Sequence, residues 1–432
     1  MAGVGPVRPA HVPETSSPVA LLPSNTLVLL STTATPNELH DASGTNTHSL
    51  FATRLAQPPD RRRGRAGGAT AGAGGSPARP TGGNYSRTGR DLPDSAGPDY
   101  PFGIGDTFNQ DSGGIDAHET WMDSGGSYRV DVYMTYTGQS QVADWGDYNT
   151  LDAGGFKFKT AVQVLPADVL IVHSVPMVPN NDAYSYKRCP SPLPNPTLFA
   201  DVANGDHDDH YTEYFREMAG LMTANNRNTN DLVIRLGWEM NGDWYPWSIC
   251  SSSQVAPFRA AWNKIVTIAR SEIPNVIIDF SPARRTRSGE VLADWAPDSA
   301  YWDVISRSTH DSWINGSNTV VDPGSWEEFH LNPSNPTDVG LQDISDLAEA
   351  ENRWMALTEW ATQFRDCTGI THRTAQDQEL FITYSAAWLE TNKDRIAWAA
   401  WFAPSCTALR NNASSYPSAT EKFRDCFLDG SC

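Results

Sequence analysis

Two glutamates, Glu239 and Glu359, each follow a short apolar run, residues 232–236 and 355–358. A carboxylate at the end of a buried strand is costly to desolvate without a partner, so its presence there indicates a specific role. Two carboxylates facing one pocket can act as acid and nucleophile, as hydrolysis of a glycosidic bond requires. For either glutamate alone, a structural role in capping or pairing a neighbouring loop is about as plausible. The pair, with aromatic residues beside both, favours the chemical role.

The elements that must position them alternate along the chain. Eight strand-like runs are predicted at residues 101–108, 128–136, 168–177, 231–236, 276–281, 303–309, 355–358 and 396–402. Apolar spacings of three and four predict helices at residues 211–224, 258–272 and 378–391. This order is typical of an α/β fold, a (β/α)8 TIM barrel, although a doubly wound sheet predicts the same alternation. In a barrel, the carboxyl ends of the strands share the active-site face.

Three segments carry a resemblance to a known family. Residues 235–244 (RLGWEMNGDW) resemble the acid/base segment of glycoside hydrolase family 26, the β-mannanase family. Residues 356–360 (ALTEW) resemble its nucleophile segment, and residues 396–401 (IAWAAW) resemble its last strand. The resemblance implies a retaining (β/α)8 barrel, with Glu239 as acid/base on the fourth strand and Glu359 as nucleophile on the seventh. It also implies endo-acting hydrolysis of a β-linked polysaccharide such as β-mannan.

Two positions depart from the family pattern. Trp238 stands where the family usually has a histidine, and His310 stands where its tyrosine hydrogen-bonds the nucleophile. Both positions touch the central sugar in the family, so another β-glycan, xylan or glucan, is an alternative substrate. A catalytically silent carbohydrate-binding barrel is the alternative from a different functional class.

Further residues are candidates for substrate binding. Arg235 has the same strand parity as Glu239, which predicts an inward side chain that keeps Glu359 ionised; a purely structural ion pair inside the barrel is the equal alternative. Tryptophans can stack on the C–H face of a sugar, and those in the loop broken by Gly, Asp and Pro are expected to be exposed. The predicted substrate-binding residues are Arg235, Trp238, Asn241, Trp244, Trp247, His310 and Trp401.

Residues 206–210 (DHDDH) contain Asp and His side chains of the kinds that bind metal ions. Aspartates before a helix more often cap its free N–H groups, and a helical pattern begins at Tyr211. The His-Glu-x-x-His spacing of zinc hydrolases is absent from this run. We therefore predict capping here, and neither a metal nor a cofactor.

Composition separates a leader from a body. Residues 1–95 carry a net charge of +3 and no tryptophan, whereas residues 96–432 carry −22 and all 15 tryptophans. The leader includes a low-complexity run at 61–83 and is predicted to be disordered, while residues 96–432 are predicted to form the catalytic barrel. The acidic body argues against nucleic acid or anionic membrane as a partner. A saccharide substrate and a monomer are expected.

The six cysteines contain no Cys-x-x-Cys pair. Six thiols allow 15 pairings, and their positions after predicted strands favour Cys189–Cys250 and Cys426–Cys432. Disulfides imply an oxidising compartment, so secretion is expected, although the apolar patch at residues 19–30 is a poor signal peptide.

Overall fold

The computed structural model describes residues 98–105, 130–137, 158–178, 189, 197–286, 288–311, 321–362, 377–403, 409, 416–428 and 432. The predicted leader, residues 1–95, lies outside the described residues, as do Cys367 and Cys406.

The described strands form one closed parallel barrel. They are β1 Phe102–Gly105, β2 Val132–Tyr136, β3 Leu170–Val175, β4 Leu232–Leu236, β5 Ile277–Phe280, β6 Val304–Ser306, β7 Thr309–His310, β8 Trp354–Ala361 and β9 Ile396–Phe402. Each strand pairs with the next in the chain, except that β6 and β7 both pair with β8, and β9 closes the ring on β1. Because Arg307 and Ser308 interrupt the sixth predicted run, β6 and β7 together make one barrel strand. Closure confirms the predicted TIM barrel against the open doubly wound sheet.

The strands are buried because both of their faces are covered. All residues of β1 to β8 are buried, and only Phe402 at the end of β9 is partly exposed. Such strands read as continuous apolar runs rather than alternating ones, which is why their positions are visible in the sequence. Polar residues inside the barrel are therefore conspicuous, and Arg235 and Asp279 are paired in register across β4 and β5.

Helices surround the barrel on its outer face. They are Phe158–Val164, Leu198–Asn204, Asp208–Ala224, Val255–Glu272, Leu292–Trp295, Pro323–Trp326, Leu341–Ala350, Glu379–Thr391 and Pro417–Phe427, with a π-helical segment at Glu327–Leu331. The three helices predicted from periodicity end at the predicted residues Ala224, Glu272 and Thr391. The first two of these begin three residues earlier than expected, at Asp208 and Val255.

The helix Asp208–Ala224 is not capped as predicted. His207 occupies the N-cap and makes no side-chain capping hydrogen bond, so that part of the prediction is wrong. Asp208 and Asp209 lie in the first turn, where their charges suit the helix dipole, and Asp208 pairs with Lys264 at 2.6 Å. Within the described ranges, no group of three His, Cys, Asp or Glu side chains could hold a metal ion.

Disulfides join Cys189 to Cys250 and Cys426 to Cys432, which confirms the two preferred pairings. The first bridge spans 61 residues and ties the chain after β3 to the loop after β4. Across the described ranges, no helix is both long and apolar enough to cross a membrane.

Candidate active site

A tight turn carries Glu239 away from the end of β4. Gly237 has φ +46°, and a Cβ on it would lie 2.4 Å from Cγ of Met177, so only glycine fits there. Glu239 follows with φ +56°, and its backbone N–H donates to the carbonyl of Ser281 at 2.8 Å. Its side chain is left almost buried at the open end of the barrel.

Glu359 lies within β8 and also has a positive φ, +69°. The pairing of β8 with β9 shifts register between Thr358 and Trp360, so Glu359 occupies an irregularity in the strand. Positive φ is uncommon for residues other than glycine, and such backbone tends to cluster at functional sites. The two glutamates singled out from the sequence share this uncommon conformation.

Arg235 holds Glu359 as the sequence parity predicts. Its Nη1 donates to Oε2 of Glu359 at 2.6 Å, and the guanidinium is completely buried. Ser281 Oγ accepts from Nε at 2.9 Å and Ser308 Oγ accepts from Nη2 at 2.7 Å, which fixes the orientation of the guanidinium. Burial alone would raise the pKa of Glu359, but the charge of Arg235, aided by His310, outweighs it and leaves the pKa lowered. Glu359 is therefore an anion.

Tyr136, at the end of β2, contacts Glu359, and the sequence did not predict this contact. Its hydroxyl donates to Oε2 of Glu359 at 3.1 Å. His310, at the end of the sixth barrel strand, lies with its Nε2 3.7 Å from Oε1 of Glu359. The only sequence signal for Tyr136 is its position as the last residue of a predicted strand.

Glu239 has the opposite electrostatic environment. Burial, and then the negative charge of Glu359, raise its pKa from 4.5 to about 7, against a lowering effect of Arg235. Trp244 Nε1 donates to Oε2 of Glu239 at 2.6 Å, and Ser308 also hydrogen-bonds its side chain. Trp244 is only partly buried, so its ring remains a candidate sugar platform beside this carboxyl.

Three predicted sugar-binding aromatics are buried instead. Trp238, Trp247 and Trp401 are 1%, 0% and 1% exposed, so none offers an open ring face for stacking. Trp247 Nε1 donates to the carbonyl of Trp238 at 2.9 Å because the loop folds back onto β4, and the prediction that it is exposed is wrong. Trp401 packs edge-on against Trp360 at 4.7 Å in the core.

Asn241 also has a different role from the one predicted. Its Nδ2 donates to the carbonyl of Ala283 at 2.6 Å, and its Oδ1 accepts from the N–H of Ala283 at 2.7 Å. The amide is thus used on both sides to tie the loop after β4 to the loop after β5, and it is 1% exposed. It positions the site rather than meeting a ligand.

The arrangement brings together a carboxyl that keeps its proton until about pH 7 and a carboxylate held ionised by a buried arginine. Environments that push the pKa values of two neighbouring carboxyls apart allow one to donate a proton while the other attacks or stabilises positive charge.

Comparisons with solved structures return the same fold. Similar structures include a family 26 protein from Muricauda sp. (14% identity, 75% of this chain and 86% of that one, TM-score 0.48). Another is a family 26 β-mannanase from Bacteroides ovatus (15% identity, 74% of this chain and 89% of that one, TM-score 0.47). A third is a modular endo-β-1,4-mannanase from Cellulomonas fimi (16% identity, 74% of this chain and 70% of that one, TM-score 0.48). This chain is similar in fold to glycoside hydrolase family 26. No protein-family model matches the chain, and no curated protein matches it in sequence. At these identities the family 26 likeness concerns the fold, and the chemistry depends on the side chains.

Proposed function

We propose that this protein is a retaining β-glycoside hydrolase that cleaves a β-linked polysaccharide by double displacement. The observation that supports this most directly is the opposite tuning of Glu239 and Glu359, whose pKa values are raised and lowered respectively. The work of a retaining glycosidase needs one carboxyl of each kind.

In this mechanism, Glu239 donates its proton to the leaving glycosidic oxygen while Glu359 attacks the anomeric carbon. A covalent glycosyl-enzyme forms as the C–O bond to the leaving sugar breaks. Glu239, now an anion, takes a proton from water, and the resulting hydroxide equivalent releases the sugar and regenerates Glu359. Arg235 keeps the nucleophile charged and oriented, and the N–H of Trp244 orients the acid.

The substrate assignment rests on the family 26 resemblance. Endo action on β-mannan is what that resemblance implies, and several of the proteins of similar structure are mannanases. Trp238 replaces the family's histidine beside the central sugar and donates its N–H to Tyr245 at 2.8 Å. We therefore expect weak action on plain β-1,4-mannan relative to some other β-glycan, such as xylan or glucan. Mannan as the best substrate in such a panel would contradict this expectation.

The decisive experiment replaces each glutamate separately. Glu359→Ala should abolish turnover and keep ligand binding, and azide should restore it by forming a glycosyl azide of inverted configuration. Glu239→Ala should slow substrates with poor leaving groups far more than activated aryl glycosides. Glu272→Ala, on the protein surface, is the control and should leave turnover unchanged.

Proton NMR of the first product should show the retained anomer, and a crystal structure should place the two carboxyls about 5–5.5 Å apart. An inverted anomer would overturn the mechanism. Saccharide binding without cleavage of any β-glucan, mannan or xylan would favour the silent carbohydrate-binding barrel, for which the replacements at Trp238 and His310 are the motivating observation.

We further propose that the protein acts outside the cell as a monomer. The two disulfides support an oxidising compartment. Protein found mainly in the culture fluid, eluting at the monomer mass in gel filtration, is the expected result; retention in the cytosol would contradict it.

A further inference from the structure

Tyr245 occupies a defined place beside the two carboxyls. It follows Trp244 in the loop after β4, and its ring stacks on Trp247 with centroids 4.6 Å apart and planes 7° from parallel. The backbone is fixed by the Ser248 side chain, which accepts from the Tyr245 N–H at 3.2 Å. Tyr245 as a whole is partly buried.

The phenol oxygen is oriented by Trp238. Trp238 Nε1 donates to Oη of Tyr245 at 2.8 Å, and the buried Trp238 ring also packs edge-on against Tyr136, with centroids 5.6 Å apart. Oη thus accepts one hydrogen bond, while among the described residues its own hydrogen has no acceptor. A donor held in this way is available to a ligand.

The phenol also lies within electrostatic reach of both glutamates. Burial raises the pKa of Tyr245 well above its usual value, and the charges of Glu239 and then Glu359 raise it further. The hydroxyl therefore keeps its proton throughout the pH range in which the carboxyls work. The geometry places it in the same cluster as the nucleophile, because the Trp238 ring that binds Oη packs against Tyr136, whose hydroxyl donates to Glu359.

We propose that Tyr245 is a specificity-determining residue that donates a hydrogen bond to the 2-hydroxyl of the sugar attacked by Glu359, and that Trp238 is the residue that positions it. The proposal rests on the proposed glycoside hydrolase function. The 2-hydroxyl is adjacent to the anomeric carbon, and hydrogen bonds to it strengthen in the transition state of glycoside hydrolysis. Since glucose and mannose differ only in the configuration of this hydroxyl, Tyr245 would set the choice between them.

The test deletes the two partners in turn. The probes are 2,4-dinitrophenyl β-glycosides of cellobiose, mannobiose and xylobiose, and the 2-deoxy analogue of whichever the wild type prefers, deoxygenated in the ring that bears the aryl group. For the wild type, we expect the 2-deoxy probe to lower kcat/KM about 10- to 100-fold, because the Tyr245 hydroxyl then has no acceptor on the sugar. Tyr245→Phe should lose a similar factor on the parent probe and little more on the 2-deoxy probe.

Trp238→Phe should show the same non-additivity to a smaller extent, since Tyr245 keeps its hydroxyl but loses the group that orients it. This second variant also decides the matter if Tyr245→Phe does not fold. Tyr384→Phe, a partly buried tyrosine on the helix Glu379–Thr391, is the matched control and should behave as wild type. The proposal would be overturned if removal of the 2-hydroxyl lowered kcat/KM by the same factor in the wild type and in both variants. A folded wild type that cleaves none of the probes and no polysaccharide would instead overturn the proposed function, and this inference with it.

Discussion

Tyr136 donates its hydroxyl to Oε2 of Glu359 at 3.1 Å, the same oxygen that Arg235 binds at 2.6 Å. Two donors on one oxygen leave Oε1 of Glu359 as the attacking atom in the proposed mechanism, with His310 Nε2 3.7 Å away from it. The carboxylate is thus held from the second and fourth strands of the barrel rather than by neighbours in sequence.

Removing the hydroxyl of Tyr136 should weaken this arrangement. Tyr136→Phe deletes a donor that stabilises the charged form, so the pKa of Glu359 should rise and kcat/KM should fall about tenfold. The acid limb of the pH–kcat/KM profile should move to higher pH. Tyr133→Phe, on the opposite face of β2, is the control. An unmoved acid limb in Tyr136→Phe would show that the contact does not tune Glu359.

Arg235→Met should have a larger effect. The buried cation is the main group that lowers the pKa of Glu359, so its loss should raise that pKa and reduce kcat about 100-fold or more. Breaking a buried pair costs about 3–5 kcal/mol of stability, whereas Arg216→Met, which breaks the exposed pair with Glu272, should cost about 0–1 kcal/mol. Urea denaturation and steady-state kinetics measure both effects. Equal losses for the two variants would contradict the assignment.

The pH dependence of activity should follow Glu239. Since its pKa is raised to about 7, it can serve as the acid below that pH, and activity should decline as the pH rises through about 7. Trp244→Phe removes a donor to the ionised form, so the basic limb should shift to higher pH. Rate profiles on a substrate with a poor leaving group provide the measurement. A basic limb that stays in place, or moves down, would contradict this role for the indole N–H.

Asp279, buried in the barrel on β5, should control how stability depends on pH. Burial raises its pKa from 3.8 to about 7, although Ser306 and Thr358 both donate to its Oδ2. A carboxyl with a raised pKa favours the folded state below its unfolded pKa, and this contribution is lost as the pH rises through about 7.

The free energy of unfolding of Asp279→Asn, minus that of wild type, should therefore be a few kcal/mol larger at pH 8 than at pH 4. The exposed Asp294→Asn is the control, and the free energy of unfolding measured across this pH range provides the test. A difference between Asp279→Asn and wild type that does not change with pH would mean that Asp279 titrates normally.

Much of the fold could be predicted because its signals are local. Each barrel strand is buried on both faces and appears as an apolar run, and the helices carry an apolar stripe that stops where the helix stops. Glu239, Glu359 and Arg235 could be predicted as neighbours because strand ends and strand parity determine which residues share the open end of a barrel.

Contacts that depend on tertiary packing could not be predicted. Tyr136 and Glu359 are 223 residues apart, and only closure of the barrel brings them together. The burial of Trp247 depends on the loop folding back so that the N–H of Ile249 donates to the carbonyl of Met240 at 2.6 Å. A loop rich in Gly, Asp and Pro indicates a turn but does not indicate which side chains the turn will cover.

The left-handed backbone at Glu239 and Glu359 lowers the stability of the native state below that of the same fold without it. A left-handed conformation costs a non-glycine residue roughly 1–2 kcal/mol, and glycine or asparagine there avoids much of that cost. Laboratory evolution for heat resistance alone should therefore collect glycine or asparagine at these two positions early. The more durable proteins it produced would keep the barrel and lose the pair of carboxyls, so heat resistance and turnover would have to be selected together.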